Sequence, residues 1–235
     1  MNHLSRLKAA LKGVVKRAPV LRKPTYFLFH FLTGPFKGSA RYWEQRYAGG
    51  RDSGPGSTGQ LAAFKADILN TFIKTNHIKT IIEYGCGDGM QLELAFYPNY
   101  TGFDVSPSAI ALCKEKFKAN NTWVFKLMSE YKGERAELTL SLDVIYHLVE
   151  DSIFHQYVER LFSSSDGYVI IYSSNTDKNV MDQPKHIKHR KFTKWVEGHA
   201  PAWKLIEHIP NQYPYGSPDG KGSFADFYIY YKKLL

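Results

Sequence analysis

The chemistry-bearing residues of this 235-residue chain gather in four short segments. The first is Ile81-Ile82-Glu83-Tyr84-Gly85-Cys86-Gly87-Asp88-Gly89, where an apolar run meets an acid and then three glycines at alternate positions. Glycines let a backbone turn sharply and let a ligand come close, because no Cβ intrudes. The second is Asp104, which lies 21 residues after Glu83. An acid at that distance suits hydrogen bonds from ribose hydroxyls on a doubly wound sheet, where ligands sit beyond the carboxyl ends of the strands. The third is Asp143-Val144-Ile145-Tyr146-His147. An unperturbed histidine titrates near neutrality, so His147 can take a proton from a hydroxyl. Asp143 would share its face if a helix started here. The alternative for His147 is a hydrogen bond to backbone at a helix start. The fourth is Lys185-His186-Ile187-Lys188-His189-Arg190-Lys191, whose cations suit an anionic ligand or simply face solvent.

Two ligand classes fit the glycine loop. A nicotinamide dinucleotide prefers G-x-G-x-x-G, whose helix N-terminus faces a pyrophosphate. The spacing here is G-x-G-x-G, preceded by Glu83. An acid there suits a cationic ligand end, such as the α-amino group of S-adenosylmethionine (SAM). In these residues the sequence resembles the class I SAM-dependent methyltransferases, whose first motif is an acid followed by G-x-G-x-G. A bare strand-to-helix turn would explain the glycines alone. It would not explain Glu83, Asp104 and the strand ending in Leu142-Asp143 as well.

The resemblance implies a set of roles. Glu83, Gly85 and Gly87 hold the methionine end, with Cys86 in the same loop contributing mainly backbone. Asp104 takes the ribose hydroxyls and Val105 packs near the adenine. Met128 and Ser129 flank that ring, and Leu142 and Asp143 form the floor of the site. Tyr42-Trp43-Glu44-Gln45-Arg46-Tyr47 resembles an N-terminal helix that caps SAM, with Trp43 covering it and Arg46 near its carboxylate. The other reading packs Trp43 and Tyr47 on the sheet. The implied product is S-adenosylhomocysteine.

Methyl transfer is a direct displacement, and alignment alone supplies about 7–11 kcal/mol in ideal cases. An oxygen acceptor also needs a general base or a metal. His147 and Asp143 are the candidates. The stretch resembles the E-x-x-E-H metal site of quinone-biosynthesis O-methyltransferases, but Asp143 replaces one Glu and Tyr146 the other. One carboxylate is missing, so no metal is expected. His186 and His189 lack the neighbouring ligands of a zinc site. With Arg190, Tyr146 and Tyr213, they are candidate acceptor contacts. The expected acceptor is a hydroxyl of a small molecule, a saccharide or a cell-envelope metabolite, anionic or membrane-linked. An RNA methyltransferase and a non-enzymatic SAM-binding regulator are the alternatives.

The elements that must position these residues follow from periodicity. Helices are expected over 40–48, 60–75, 89–96, 108–120 (with Ser106 or Ser108 as N-cap), 154–162 and 190–198. Strands are expected over 80–84, 100–104, 122–127, 138–144 and 167–173, with 205–209 and 224–231 as a terminal pair. Strands alternating with helices predict a doubly wound, mostly parallel α/β sheet covered by helices on both faces. The resemblance adds that it has seven strands and that the last is antiparallel.

The formal net charge is +9, and residues 1–43 hold nine basic residues and no acid. The remaining 192 residues are neutral by count, with 22 of each sign. This argues against nucleic acid as the partner of the folded body. It divides the chain into a basic arm, 1–38, and a methyltransferase-like domain, 39–235. Residues 3–17 read as an amphipathic helix with lysines on one face, followed by the aromatic run 26–32. Together, 1–35 fit peripheral contact with a membrane surface. A lid, an oligomer contact, a transit peptide and an RNA contact compete with that reading. No apolar run reaches the roughly 20 residues of a membrane span, and no signal peptide is expected. Two cysteines, Cys86 and Cys113, make no disulfide framework. The expected location is cytoplasmic, with the arm at the inner face of the membrane.

Overall fold

The computed structural model describes residues 36–181, 183–216 and 222–233. They fall into two units. One comprises the described residues of 38–179 and 186–235, the other those of 1–37 and 180–185. In the second, the Gln183 amide donates to the Val180 carbonyl at 3.2 Å. The expected helix over 3–17 and the aromatic run 26–32 lie outside the described residues.

In the larger unit the described residues form one seven-stranded sheet. Its strands are β1 (Thr80–Tyr84), β2 (Asn99–Asp104), β3 (Trp123–Leu127), β4 (Ala136–Leu142), β5 (Ser165–Ser173), β6 (Trp203–Ile209) and β7 (Asp226–Lys232). The spatial order is β3-β2-β1-β4-β5-β7-β6. β1 to β5 pair in parallel, whereas β7 runs antiparallel to both β5 and β6. The expected reversed last strand is present, and it lies between β5 and β6.

Helices α1 (Ser39–Ala48), α2 (Gly59–Thr75), α3 (Pro107–Lys116), α4 (Asp151–Ser163) and α5 (Phe192–His199) accompany the sheet. The strands alternate with period two and feed two cores. Ile81, Leu138, Leu140, Ile170 and Phe227 pack with Leu69 and Ile73 of α2 and Cys113 of α3. Ile82, Tyr84, Val169, Ile171 and Tyr228 pack with Val158 and Leu161 of α4 and Val196 of α5. Each such fully buried side chain contributes about 1.5–3 kcal/mol. Ser106 caps α3, its hydroxyl accepting the Ala109 amide at 3.0 Å, with Pro107 in the first turn.

Three local expectations are corrected. The helix over 89–96 is only a 3-10 turn, Gln91–Leu94. Gly89 has a φ of +74°, and Pro98 closes the segment before an α-helix can propagate. β4 stops at Leu142, because Asp143 leaves the extended region at a φ of +60°. A 3-10 turn, Ile145–His147, follows it, so Asp143 and His147 do not share an α-helical face.

Candidate active site

The glycine loop between β1 and the 3-10 turn is held at the carboxyl end of the sheet. The Gly85 and Cys86 amides both donate to the Phe103 carbonyl at the end of β2, at 2.6 and 3.1 Å. Gly85 and Gly87 have φ values of +86° and +58°, where a side chain is strained. Side chains would also collide there. A Cβ on Gly85 would lie 2.5 Å from Val144 Cγ2, and one on Gly87 would lie 2.5 Å from Ser53 Oγ and 2.8 Å from the Tyr47 hydroxyl. The glycines are thus required by the chain that folds around them.

Two buried carboxylates flank this loop. Glu83, at the end of β1, accepts the Tyr100 hydroxyl on Oε2 at 2.7 Å. Burial pushes its carboxyl up to about 7, against the pull of that hydrogen bond and of the nearby Lys65 charge. Asp104, at the end of β2, accepts the Gly87 amide on Oδ2 at 3.0 Å and the Ser106 amide on Oδ1 at 2.9 Å. Burial pushes its carboxyl up to about 6 despite these bonds. Each carboxylate oxygen has two lone pairs, so Asp104 keeps acceptor capacity beyond the two amides. Val105 beside it is exposed. Cys86 is buried, with its thiol pushed well up by the neighbouring Cys113 and by burial, so it is no nucleophile.

Helix α1 lies against this loop. Glu44 accepts the hydroxyls of Ser106 and Ser108, at 2.6 and 2.7 Å. The Ser53 amide and hydroxyl donate to Asp88, at 2.9 and 2.7 Å, and the Tyr47 hydroxyl lies 3.0 Å from Ser53 Oγ. Trp43 stands edge-on to His147 at 4.8 Å, so it reaches the end of β4. Arg46 pairs with Asp52 at 3.2 Å and lies over the Trp43 ring. Its guanidinium is engaged within its own segment.

At the end of β4, Asp143 is bracketed by two donors. Lys65 of α2 donates to Oδ2 at 2.6 Å, and the Tyr146 hydroxyl donates to Oδ1 at 2.7 Å. Leu142 is buried in the core beneath. His147 Nδ1 lies 3.0 Å from the His186 carbonyl. In the neutral ring that nitrogen donates, which leaves Nε2 as the acceptor. Burial lowers the ring to about 4, far from the near-neutral value of a free histidine. Met128 and Ser129 occupy a 3-10 turn, Met128–Glu130, after β3, where Met128 packs on the Tyr84 side of the sheet.

The segment after β5 divides in two. His186 stacks on Tyr42 at 4.2 Å, and His189 bonds Ser174 Oγ at 2.7 Å while meeting the Phe224 ring at 4.7 Å. Phe224 in turn meets Tyr146 at 4.9 Å. These rings join α1, the end of β4 and the start of β7 into an aromatic rim. Arg190 does not belong to it. It is buried, donates to the Leu148 and Val149 carbonyls and to Asp151, and lies over the Phe154 ring. Lys188 also pairs with Asp151, at 2.6 Å. The anionic-acceptor expectation thus loses two of its cations to the N-terminus of α4. Tyr213 packs on Phe64, 6.3 Å between centroids, apart from the ring contacts of the rim.

Three residues of this arrangement were absent from the sequence reading. Ser53 sits in a glycine-rich loop with no motif, and Glu44 lies inside a segment read for its aromatics. Lys65 belongs to an amphipathic helix where a lysine ordinarily faces water. Lys65 is 1% exposed, which only the folded chain reveals.

No protein-family model matches the chain, and no curated protein matches it by sequence. Solved structures do match. An N-methyltransferase, NodS from Bradyrhizobium japonicum, in complex with S-adenosyl-l-homocysteine, is 14% identical with a TM-score of 0.65, over 84% of this chain and 100% of that one. Magnesium protoporphyrin IX methyltransferase from Synechocystis, with bound SAM, is 12% identical with a TM-score of 0.60, over 85% and 100%. A SAM-dependent methyltransferase from Anabaena variabilis is 14% identical with a TM-score of 0.62, over 85% and 97%. The chain has the Rossmann-like fold of the class I SAM-dependent methyltransferases.

Proposed function

We propose that the chain is an enzyme that transfers a methyl group from SAM to an acceptor hydroxyl, releasing S-adenosylhomocysteine. The observation that carries this reading is the pair of buried carboxylates, Glu83 and Asp104, on either side of a glycine loop at the carboxyl ends of β1 and β2. The donor set fits such a ligand. Glu83 offers a carboxylate to an ammonium, Asp104 has lone pairs left for ribose hydroxyls, and exposed Val105 offers an apolar surface to a flat ring. Met128 and Ser129 would complete the ring site, and Leu142 its floor. When bound, SAM supplies an electrophilic methyl group on a sulfonium.

The chain's own residues do the rest. Helix α1, fastened through Glu44 and Ser53, holds Trp43 over the end of β4 and limits water there. His147 Nε2 is the proton acceptor for the attacking hydroxyl, its ring oriented by the His186 carbonyl. The aromatic rim of Tyr146, His186, His189 and Phe224 suits a sugar or another ring-bearing small molecule rather than a polyanion. Among the structural neighbours, one acts by its name on magnesium protoporphyrin IX, a planar macrocycle. The acceptor proposed here is a ring-bearing small molecule, a saccharide or a cell-envelope metabolite. Among the described residues no helix is long and apolar enough to cross a membrane.

The test is calorimetry with SAM, S-adenosylhomocysteine and NAD, followed by assay of S-adenosylhomocysteine release against acceptor panels. SAM and S-adenosylhomocysteine are expected to bind and NAD not to bind. SAM binding without turnover on any panel would favour a regulator, and steep salt-dependent RNA binding would favour an RNA acceptor.

A further inference from the structure

The least expected group near the site is the Lys65 ammonium. A lysine is almost never fully buried unless it is paired. Lys65 Nζ lies 2.6 Å from Asp143 Oδ2 and 5.2 Å from the Tyr172 ring centroid. Asp143 is held at both carboxylate oxygens and at its amide. Its other oxygen accepts the Tyr146 hydroxyl at 2.7 Å, and its amide donates to the Tyr172 carbonyl at 2.9 Å. A Cβ on Gly56 would stand 3.1 Å from Oδ2, so the loop before α2 backs onto the carboxylate. The next residue, Val144, presses on Gly85 of the glycine loop. The φ of +60° at Asp143 is uncommon for a residue with a side chain and persists only where the surroundings enforce it.

We propose that Lys65 is a positioning residue of the site: its ammonium fixes Asp143 against the glycine loop and is the counter-charge for the Glu83 carboxylate that meets a cationic ligand. The inference rests on the SAM reading above. Lys65 comes from α2, Glu83 from β1 and Asp143 from the turn after β4, so the cation that touches Asp143 also acts through its charge on Glu83. Glu83 also faces Tyr100 and Asp104 from β2 and Tyr157 from α4, with Tyr97 and Cys86 nearby. Asp143 also faces Tyr146 and His147 from the following turn and Tyr172 from β5. Lys65 is the cation that pulls Glu83 back toward ionisation against its burial. A buried acid stripped of such a partner holds its proton to higher pH.

The experiment measures SAM affinity of the full chain by calorimetry between pH 5.5 and 9.5, for wild type, Lys65→Met, Lys65→Arg and Asp143→Asn. Wild-type affinity should rise with pH through about 7, where Glu83 ionises. Lys65→Met should move that midpoint up by about one unit, weaken binding at neutral pH about fivefold, and recover at alkaline pH. Lys65→Arg should keep the wild-type profile. Asp143→Asn leaves the ammonium facing Glu83 alone and should move the midpoint down. An unchanged midpoint in Lys65→Met and Asp143→Asn, or an equal loss at every pH, would overturn the proposal. The same midpoints are read from the pH dependence of thermal unfolding without ligand. A wild type that binds no SAM therefore overturns the SAM reading, while the unfolding midpoints still decide the role of Lys65. If Lys65→Met fails to fold, the same readouts on Lys65→Gln, which also removes the charge, decide it.

Discussion

Glu44 Oε2 accepts the Ser106 hydroxyl at 2.6 Å, so helix α1 is fastened to the residue that caps α3 and sits two positions after Asp104. The same carboxylate takes the Ser108 hydroxyl and amide, which holds it below the usual carboxylate range. Glu44→Ala should lower stability by about 1 kcal/mol, as for the loss of a helix cap, and weaken SAM binding about three- to tenfold by releasing α1. Thermal unfolding and calorimetry read the two effects. Unchanged affinity would show that α1 takes no part in covering the ligand.

Asp104 holds two amides of its own chain, and in the proposed site it would take the ribose hydroxyls as well. Asp104→Ala removes the acceptor of the Gly87 and Ser106 amides, which should cost about 1–3 kcal/mol for the groups left unpaired. It should also abolish SAM binding. A folded variant that still binds with wild-type affinity would refute the placement of the ribose.

His147 should titrate at about 4, not near neutrality. Its ring is then neutral through pH 6–8, and turnover should show no histidine limb in that range. His147→Ala should slow turnover by about tenfold, less than the roughly hundredfold of a base tuned near the working pH because a ring lowered to about 4 accepts a proton weakly, with SAM affinity nearly kept. Full activity in the variant would remove His147 from the chemistry.

Glu83 binds its proton more tightly in the folded chain than when unfolded, because burial raises it from 4.5 to about 7. The unfolded chain therefore holds fewer protons between these values, and stability should fall as pH rises through that window. The cost of ionising this group by folding is on the order of 3 kcal/mol at alkaline pH. Glu83→Gln should flatten that slope in chemical unfolding measured from pH 4.5 to 8. A slope unchanged from wild type would assign the pH dependence to other groups.

Arg190 belongs to the scaffold of α4. Arg190→Met leaves the Leu148 and Val149 carbonyls without their donor, while exposed Asp151 keeps Lys188, and should destabilise the chain by about 1–3 kcal/mol. The acceptor's KM in the surviving fold should be unchanged. A large rise in KM at unchanged stability would return Arg190 to the acceptor site.

Much of the sheet was legible because its strands are short apolar runs bounded by glycine, asparagine and proline, and its helices carry a 3.6-residue stripe. The failures have local causes. The 89–96 stretch has a helix-like pattern, but positive φ at Gly89 and the nearby Pro98 leave room for one turn. Asp143 reads as a strand continuation, but its backbone turns to φ +60°, with its carboxylate held by Lys65 of α2 and by Tyr146 of the following turn. Lys188 and Arg190 read as free cations, since nothing in the linear pattern says that Asp151 lies beside them.

The sequence by itself determined the frame of the site: an acid before alternating glycines, a second acid one strand later, and strand ends that bring both to one edge. Those are local facts of backbone conformation and spacing. Tertiary structure alone decided the charge balance and the cover. It buried Lys65 against Asp143, laid α1 on the glycine loop through Glu44 and Ser53, and set Arg190 on α4. The physical reason is that an ionic group's role depends on its desolvation and its neighbour, and both are set by residues far away in the chain.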